Sequence, residues 1–259
     1  FKNLHYGYMR MDPLKGAQYI LDLLMVYKRY HGKRISIPVR RHAYAIQTFS
    51  HVNIKEVECF NNQEIVNIIV PLSGRNSAFK RFIENYKQVQ SKDKLISLTV
   101  VLFPDAAQNV NEFLLTKNIL DNLQQQGIRI NVAQLGGFFS RAAALQRGAT
   151  FFPKSALLLF LDVDMHFTYH VIQRVRLNTI QNSQVYFPIV FSQYSLQLKS
   201  FQNNLAISDS EGYWRQFGFG IVALYNSDFQ LVGGLNVSIQ GWGMEDVNLY
   251  DKIVHSNLS

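Results

Sequence analysis

Cysteine is almost absent from this chain of 259 residues. The single one, Cys59, cannot form an internal disulfide, so it says nothing about redox compartment. Long apolar runs are also missing: nothing approaches the roughly 18 residues that a membrane-spanning helix needs. The best stretch, Tyr19 to Tyr27, is too short and carries Asp22. No initiating Met and no signal peptide are visible, so the chain reads as part of a longer protein whose targeting signal lies elsewhere. Internal repeats, low-complexity tracts and any recognised nucleic-acid module are lacking as well, and nucleic acid is not expected as a partner. Acid is the scarcer sign of charge, with 18 Asp and Glu against 26 Lys and Arg, for a net charge of +8. Much of the excess falls early, at Lys28, Arg29, Lys33, Arg34, Arg40 and Arg41. That cluster is either a solvated surface or an electrostatic track for an anionic polymer.

What is present starts with Leu157-Leu158-Leu159-Phe160-Leu161-Asp162-Val163-Asp164. An apolar run of this kind reads as a buried central strand. Unpaired charge is costly to bury, so Asp162 and Asp164 belong where the strand leaves the core, at its carboxyl end. In open α/β sheets ligands bind at that edge. Two carboxylates there are either acidic caps of a strand or a seat for a hard divalent cation, which in turn can hold a diphosphate.

A second motif is Gln240-Gly241-Trp242-Gly243-Met244-Glu245-Asp246. Glycine lets the backbone turn sharply beside a ligand, and an aromatic between glycines offers a flat face to a sugar or a base. Glu245 and Asp246 open a helix expected over Glu245 to Ser256. Acids in a first turn suit the helix dipole, which accounts for the acids but not for the Gly-Trp-Gly lead-in. Two sequons, at Asn236 and Asn257, permit a secretory location.

Along the chain, residues up to about Phe60 lack the later regularity. A helix is expected over Pro13 to Tyr30, from apolar residues at Ala17, Ile20, Leu21, Leu24 and Met25, with short extended pieces at Ser36 to Val39 and Glu56 to Phe60. From Asn67 the order becomes regular. Strands are expected at Asn67 to Leu72, Leu95 to Phe103, Ile128 to Leu135 and Ala156 to Leu161. They alternate with helices at Ser77 to Val89, Asn111 to Gln125 and Ser140 to Arg147. Such alternation implies βαβ units, right-handed crossovers and a mostly parallel sheet. Ser73-Gly74-Arg75, the Gly136 to Arg141 turn and Asp162-Val163-Asp164 then share one edge. Val185 to Gln193 and Phe219 to Tyr225 are further strand candidates, and Ser195 to Arg215 reads as a loop over the site.

The chemistry such a site supports is transfer from a diphosphate-activated donor. A cation would neutralise the departing phosphates. Arg75 and Arg141 are either surface arginines or contacts to the phosphates or base. Phe139 either stacks on a base or packs in the core. For a hydroxyl acceptor, Asp246 or Glu245 is the candidate general base, and attack from the far side of the donor inverts configuration. His166 and His170 read as helix-side polar residues.

Taken together, Leu161 to Asp164, Tyr186 to Tyr194, Gly212-Tyr213-Trp214-Arg215, Phe217-Gly218-Phe219-Gly220, Val232-Gly233-Gly234 and Ser238 to Val247 resemble the C-terminal half of animal chondroitin synthases. Upstream, Pro38 to Tyr44 with Gln47-Thr48-Phe49 also matches, so the resemblance covers nearly the whole chain. More distantly the chain is similar to β1,4-galactosyltransferases. The resemblance implies a GT-A-type α/β fold, with a mixed, mostly parallel central sheet flanked by helices. It implies residues 1–60 as an appended segment or linker and 61–259 as the glycosyltransferase domain, cut at its C-terminus. The implied activity is inverting transfer of N-acetylgalactosamine, or of glucuronate, from a UDP-sugar to a chondroitin chain. The implied alternative is a weakly or non-catalytic polymerising partner that supports an active synthase, in a hetero-complex with another family member.

Carried over by position, Asp164 and Asp162 match the manganese and donor motif. Pro71, Arg75, Phe139, Arg141, Val163 and Trp242 match donor contacts, Trp242 and Glu245 acceptor contacts, and Asp246 the catalytic base. Val247 and Asn248 depart from the acidic run of the galactosyltransferases. The resemblance further implies a metal-ligating histidine beyond Ser259 and a Golgi-lumenal location with a type II membrane anchor outside this chain; the N-terminal glycosyltransferase domain of animal chondroitin synthases is a feature this sequence does not contain. With a polyanionic acceptor, the basic segment gains an expected partner. A sugar-nucleotide pyrophosphorylase is disfavoured by the Gly-Trp-Gly-Met-Glu-Asp motif and by the lack of a Gly-rich N-terminal nucleotide loop.

Overall fold

The structure, a computed structural model, describes residues 3–31, 33–49, 52–56, 63–104, 110–128, 130–194, 207, 210–215, 217–239 and 243–258. The chain divides into two compact units, Phe1–Asn62 and Gln63–Ser259.

The first unit is an antiparallel sheet of four strands in sequential order: β1 (Asn3–Asp12), β2 (Gly16–His31), β3 (Lys33–Gln47) and β4 (Val52–Glu56). The helix expected over Pro13 to Tyr30 is therefore wrong, because that stretch is β2. Every residue from Ala17 to His31 has a partner on β3. The misleading period has a physical source. Both faces of β2 carry apolar side chains, Leu21, Leu23 and Met25 on one and Ile20, Leu24 and Val26 on the other, so the alternation of a half-buried strand is blurred. The short piece expected at Ser36 to Val39 is part of the much longer β3. Residues 57–60, Cys59 among them, lie outside the described residues. Within the basic cluster, Arg40 is engaged: its Nε donates to Asp22 Oδ1 at 2.9 Å, and Asp22 is buried. Lys28 and Arg41 are exposed.

The second unit is built on β5 (Val66–Leu72), β6 (Ile96–Leu102), β7 (Ile130–Gln134), β8 (Leu157–Phe160) and β11 (Val222–Tyr225). Their order is β11-β8-β5-β6-β7; β5 to β8 are parallel and β11 runs antiparallel to β8. Helices α1 (Asn76–Lys92), α2 (Val110–Gln125) and α3 (Arg141–Ala149) follow β5, β6 and β7 in turn. Three more complete the unit: α4 (Tyr169–Asn178), α5 (Asn226–Leu231) and α6 (Glu245–Val254). All residues of β5, β6 and β8 are buried, as befits parallel strands covered on both faces. Helix α3 lies hard against β5: a Cβ at Gly148 would come within 2.3 Å of Ile69 Cγ2, so only glycine fits there.

The strand expected over Val185 to Gln193 reduces to β9 (Phe191–Gln193) and a lone bridge between Tyr186 and Ala223. Pro188, which has no N–H to give a ladder, stands between them. At the far end of the expected loop, β10 (Gly212–Trp214) pairs antiparallel with β9, while residues 195–206, 208 and 209 lie outside the described residues. Among the described residues no helix is long and apolar enough to cross a membrane.

Candidate active site

The sheet order places a switch point between β5 and β8. Chain connections leave in opposite directions from these two neighbours, which opens a crevice beyond their carboxyl ends. The turn after β5 carries Arg75 and the turn after β8 carries Asp162 and Asp164. The two turns meet: Arg75 Nη2 donates to Asp164 Oδ2 at 3.0 Å across that crevice. Both side chains are about half exposed, 59% and 48%, so the pair sits in water and is readily exchanged for another partner.

Asp162 has a different setting. Its Oδ1 accepts from Arg141 Nε at 2.7 Å, and Arg141 is buried at 3% exposure. Arg141 is the first residue of α3, fixed by Ser140, whose Oγ accepts from Ala143 N at 3.2 Å. The same guanidinium donates through Nη2 to the Gly220 carbonyl at 2.5 Å and lies 3.5 Å from Glu245 Oε1. One arginine thus ties the acid that follows β8 to the acid that opens α6. Gly220 marks where Asp246 falls. A Cβ there would meet Arg141 Nη2 at 3.6 Å and Asp246 Oδ2 at 3.7 Å, so both side chains end beside it. Asp246 is half-buried, whereas Glu245 is buried and its Oε2 has no hydrogen-bond partner among the described residues. Two of the helices that open at the crevice, α1 and α6, are entered by a glycine and then a non-glycine residue at positive φ. These are Gly74 with Arg75 (φ 55) before α1, and Gly243 with Met244 (φ 68) before α6. Left-handed non-glycine backbone is held at an energetic cost and tends to collect at functional sites.

Of the residues expected to contact a donor, Arg75 and Arg141 therefore face the expected acids. Phe139 is half-buried against Phe103, ring centroids 5.4 Å apart and nearly perpendicular, at the edge of a small core cluster. Pro71 lies within β5 and Val163 is buried, so both side chains belong to the core. Trp242 lies outside the described residues. His170 is on α4, as expected, while His166 stands ahead of it, 3.2 Å from Asn85 Nδ2, with partial burial holding its imidazole below the usual value. Gly220 was not among the expected site residues, although its place in Phe217-Gly218-Phe219-Gly220 marked a backbone free of side-chain bulk.

The donor set is suited to a hard cation. Asp164 presents a half-exposed carboxylate opposed only by a solvent-screened arginine, and Asp162 follows the same strand. A hard divalent ion bound by one or two carboxylates completes its shell with phosphate oxygens and water. The described residues gather no cluster of three or more His, Cys, Asp and Glu.

Comparison with known proteins bears on this crevice. A family model described as chondroitin N-acetylgalactosaminyltransferase matches residues 1–259. The chain is 36% identical to chondroitin sulfate synthase 3 of Mus musculus over 304 residues, covering 100% of this chain and 34% of that protein. It is 39% identical to human chondroitin sulfate N-acetylgalactosaminyltransferase 1 over 206 residues, covering 75% and 38%. The chain therefore spans about a third of the length of the curated relatives it matches. Among solved structures, it superposes on the mannosyltransferase PcManGT from Pyrobaculum calidifontis in complex with GDP-Man and Mn2+. The TM-score is 0.51 at 11% identity, covering 74% of this chain and 53% of that one. It also superposes on GalNAc-T7 with UDP, GalNAc and Mn2+, at a TM-score of 0.50 and 12% identity, covering 79% and 43%. These likenesses show the GT-A glycosyltransferase fold. With the family match running the whole length of the sequence, the chain belongs to the chondroitin N-acetylgalactosaminyltransferase family.

Proposed function

We propose that this unit transfers N-acetylgalactosamine from UDP-N-acetylgalactosamine, with inversion, to a glucuronate-ended chondroitin chain. The observation that carries the reading is the Arg141 bridge, which brings Asp162 and Glu245 to one crevice with Asp246 at its edge. Asp164, assisted by Asp162, would hold Mn2+ or another divalent cation. When bound, that ion supplies positive charge to the departing diphosphate. Arg75, released from Asp164, is placed to donate to the phosphates or the base, and the half-exposed edge of Phe139 to border the uracil. Arg141 is the fixed element that orients Asp162. Trp242 is assigned to the sugar by its motif alone.

In this reading the acceptor hydroxyl oxygen attacks the anomeric carbon as the carbon–oxygen bond to the diphosphate breaks. Asp246 takes the hydroxyl proton. Glu245, buried on Arg141, acts by holding the site together rather than by touching the acceptor. The reading carries with it a Golgi-lumenal location and assembly with a related synthase.

The test is a transfer assay crossing two donors, UDP-N-acetylgalactosamine and UDP-glucuronate, with acceptors ending in either sugar, with and without Mn2+, on a chain continued past Ser259. Asp246→Asn is expected to lose at least about a hundredfold in turnover, the usual worth of a general base, while binding UDP as before. Normal turnover in that variant would remove Asp246 as the base.

A further inference from the structure

Away from the Asp162–Arg141–Glu245 bridge, the β9–β10 ribbon presents a group of aromatic side chains to solvent. Tyr194, Tyr213 and Trp214 are each about half exposed (53%, 51% and 51%), and Phe217 is 80% exposed. A shallow, open depression is lined by Tyr213, Trp214, Arg215 and Phe217. Core packing does not account for such a patch, and clustered exposed aromatics mark a binding surface. Trp214 packs edge-on against Phe191 at 5.3 Å, and Tyr213 lies 6.0 Å from Tyr194. The ribbon is closely set beneath them. A Cβ at Gly212 would come within 2.2 Å of the Ser192 carbonyl oxygen.

Arg215 supplies the charge. It is exposed, and no carboxylate pairs with it among the described residues. Its Nε donates to a neutral partner, Ser192 Oγ, at 2.5 Å, which aims the guanidinium while leaving its charge uncompensated. Arg40, Arg75, Arg141 and Arg176, by contrast, each pair with an acid. A planar guanidinium matches a carboxylate with two parallel N–H donors.

The platform is also tied to the proposed catalytic acid. From Trp214 to Gly220 the chain can reach at most about 20 Å, and the Gly220 carbonyl is held by Arg141 beside Asp246. Phe219 stacks on Tyr250 of α6 at 3.8 Å and 15°, and Phe187 closes edge-on over both rings. The helix that bears Asp246 is therefore packed against the segment that follows the aromatic platform.

We propose that Trp214 and its neighbouring rings form a shelf for the acceptor glycan, and that Arg215 selects a uronate by pairing with its carboxylate. The aromatic faces take the apolar faces of the sugar ring, and the guanidinium takes its charge. This rests on the reading of the crevice as a transferase site, and it goes further by assigning acceptor selection to residues that reading leaves idle.

The probes are an unsulfated chondroitin hexasaccharide ending in glucuronate and the same oligosaccharide with its carboxylates reduced to hydroxymethyl groups. Binding is followed by titration with UDP and Mn2+ present, and UDP binding is measured separately. The native chain is expected to prefer the carboxylate form by roughly tenfold, the worth of a charge-assisted contact at a half-open surface. Arg215→Gln should erase the preference and leave UDP affinity unchanged. Trp214→Ala should weaken both oligosaccharides alike. Persistence of the preference in Arg215→Gln, or its absence from the native chain, overturns the assignment even where UDP binds normally. Loss of UDP binding by the native chain would instead count against the transferase reading itself.

Discussion

At the scale of single residues, two buried arginines do different work with the same chemistry. Arg141 sits at the crevice and faces two acids. Arg176, on α4, is far from any proposed chemistry: its Nη1 donates to Asp93 Oδ2 at 2.5 Å, and its Nε and Nη2 donate to the backbone carbonyls of Glu64 and Leu95. Both members of the Arg176–Asp93 pair are nearly dry, at 4% and 7% exposure. Removing one charge from such a pair leaves the other desolvated and unpaired, which costs about 3–5 kcal/mol. Arg176→Met is therefore expected to lower the melting temperature of the second unit markedly while leaving UDP affinity of the folded fraction unchanged. Thermal denaturation with and without UDP reads both quantities. A variant that melts normally would mean that the pair is relaxed by water.

At the scale of elements, the long β2–β3 ribbon carries a titratable core. His42 is buried, and neither ring nitrogen has a hydrogen-bond partner among the described residues. Tyr44 packs edge-on against it at 5.5 Å, Tyr6 lies at 6.4 Å, and the Asp22–Arg40 pair lies on the same face. Burial holds its imidazole below the ordinary value; Asp22 offsets this in part and Arg40 adds to it. The folded state therefore resists the proton more than the unfolded chain does. The stabilisation is present above the unfolded value of about 6.5 and is lost as pH falls through the lower folded value. Amide exchange in β2 and β3 should accelerate as pH is lowered from 7.5 to 5.5, once the intrinsic pH dependence of exchange is removed. His42→Phe should abolish the difference, and an undiminished acid sensitivity in that variant would move the cause elsewhere.

The same ribbon shows where sequence pattern stops being informative. The second unit was legible because parallel strands buried on both faces appear as apolar runs, unbroken in Leu157–Phe160, and because Gly127 and Pro104 punctuate the chain. Asp162 and Asp164 announced themselves as charges ending such a run. Strand β2 was not legible, since what makes it a strand is pairing with β3, a partner that local spacing does not specify. The same holds at the crevice. The acids were found from their motifs, but the arginine that binds Asp162 to Glu245 joins positions remote in sequence, and its bond to Gly220 uses a backbone carbonyl that carries no sequence signal at all.

At the scale of the whole molecule, every described residue of the proposed site lies within Gln63–Ser259. That unit has its own sheet and its own core, in which Ile69, Leu145, Phe160, Val222, Phe229 and Leu249 are buried together. A compact unit with an independent core can fold alone. The crevice is closed by contacts internal to it, from Arg75–Asp164 on one side to Arg141–Glu245 on the other. Deleting residues 1–62 is therefore expected to leave UDP affinity, measured with Mn2+ present, within about twofold of the intact chain. Its thermal unfolding should reduce to a single transition. The polymer should respond differently if the exposed Lys28 and Arg41 contribute to the hold on a polyanion: chondroitin affinity would fall on truncation and its salt dependence would become shallower, with UDP binding unmoved. A tenfold loss of UDP affinity on truncation would show instead that the first unit completes the donor site.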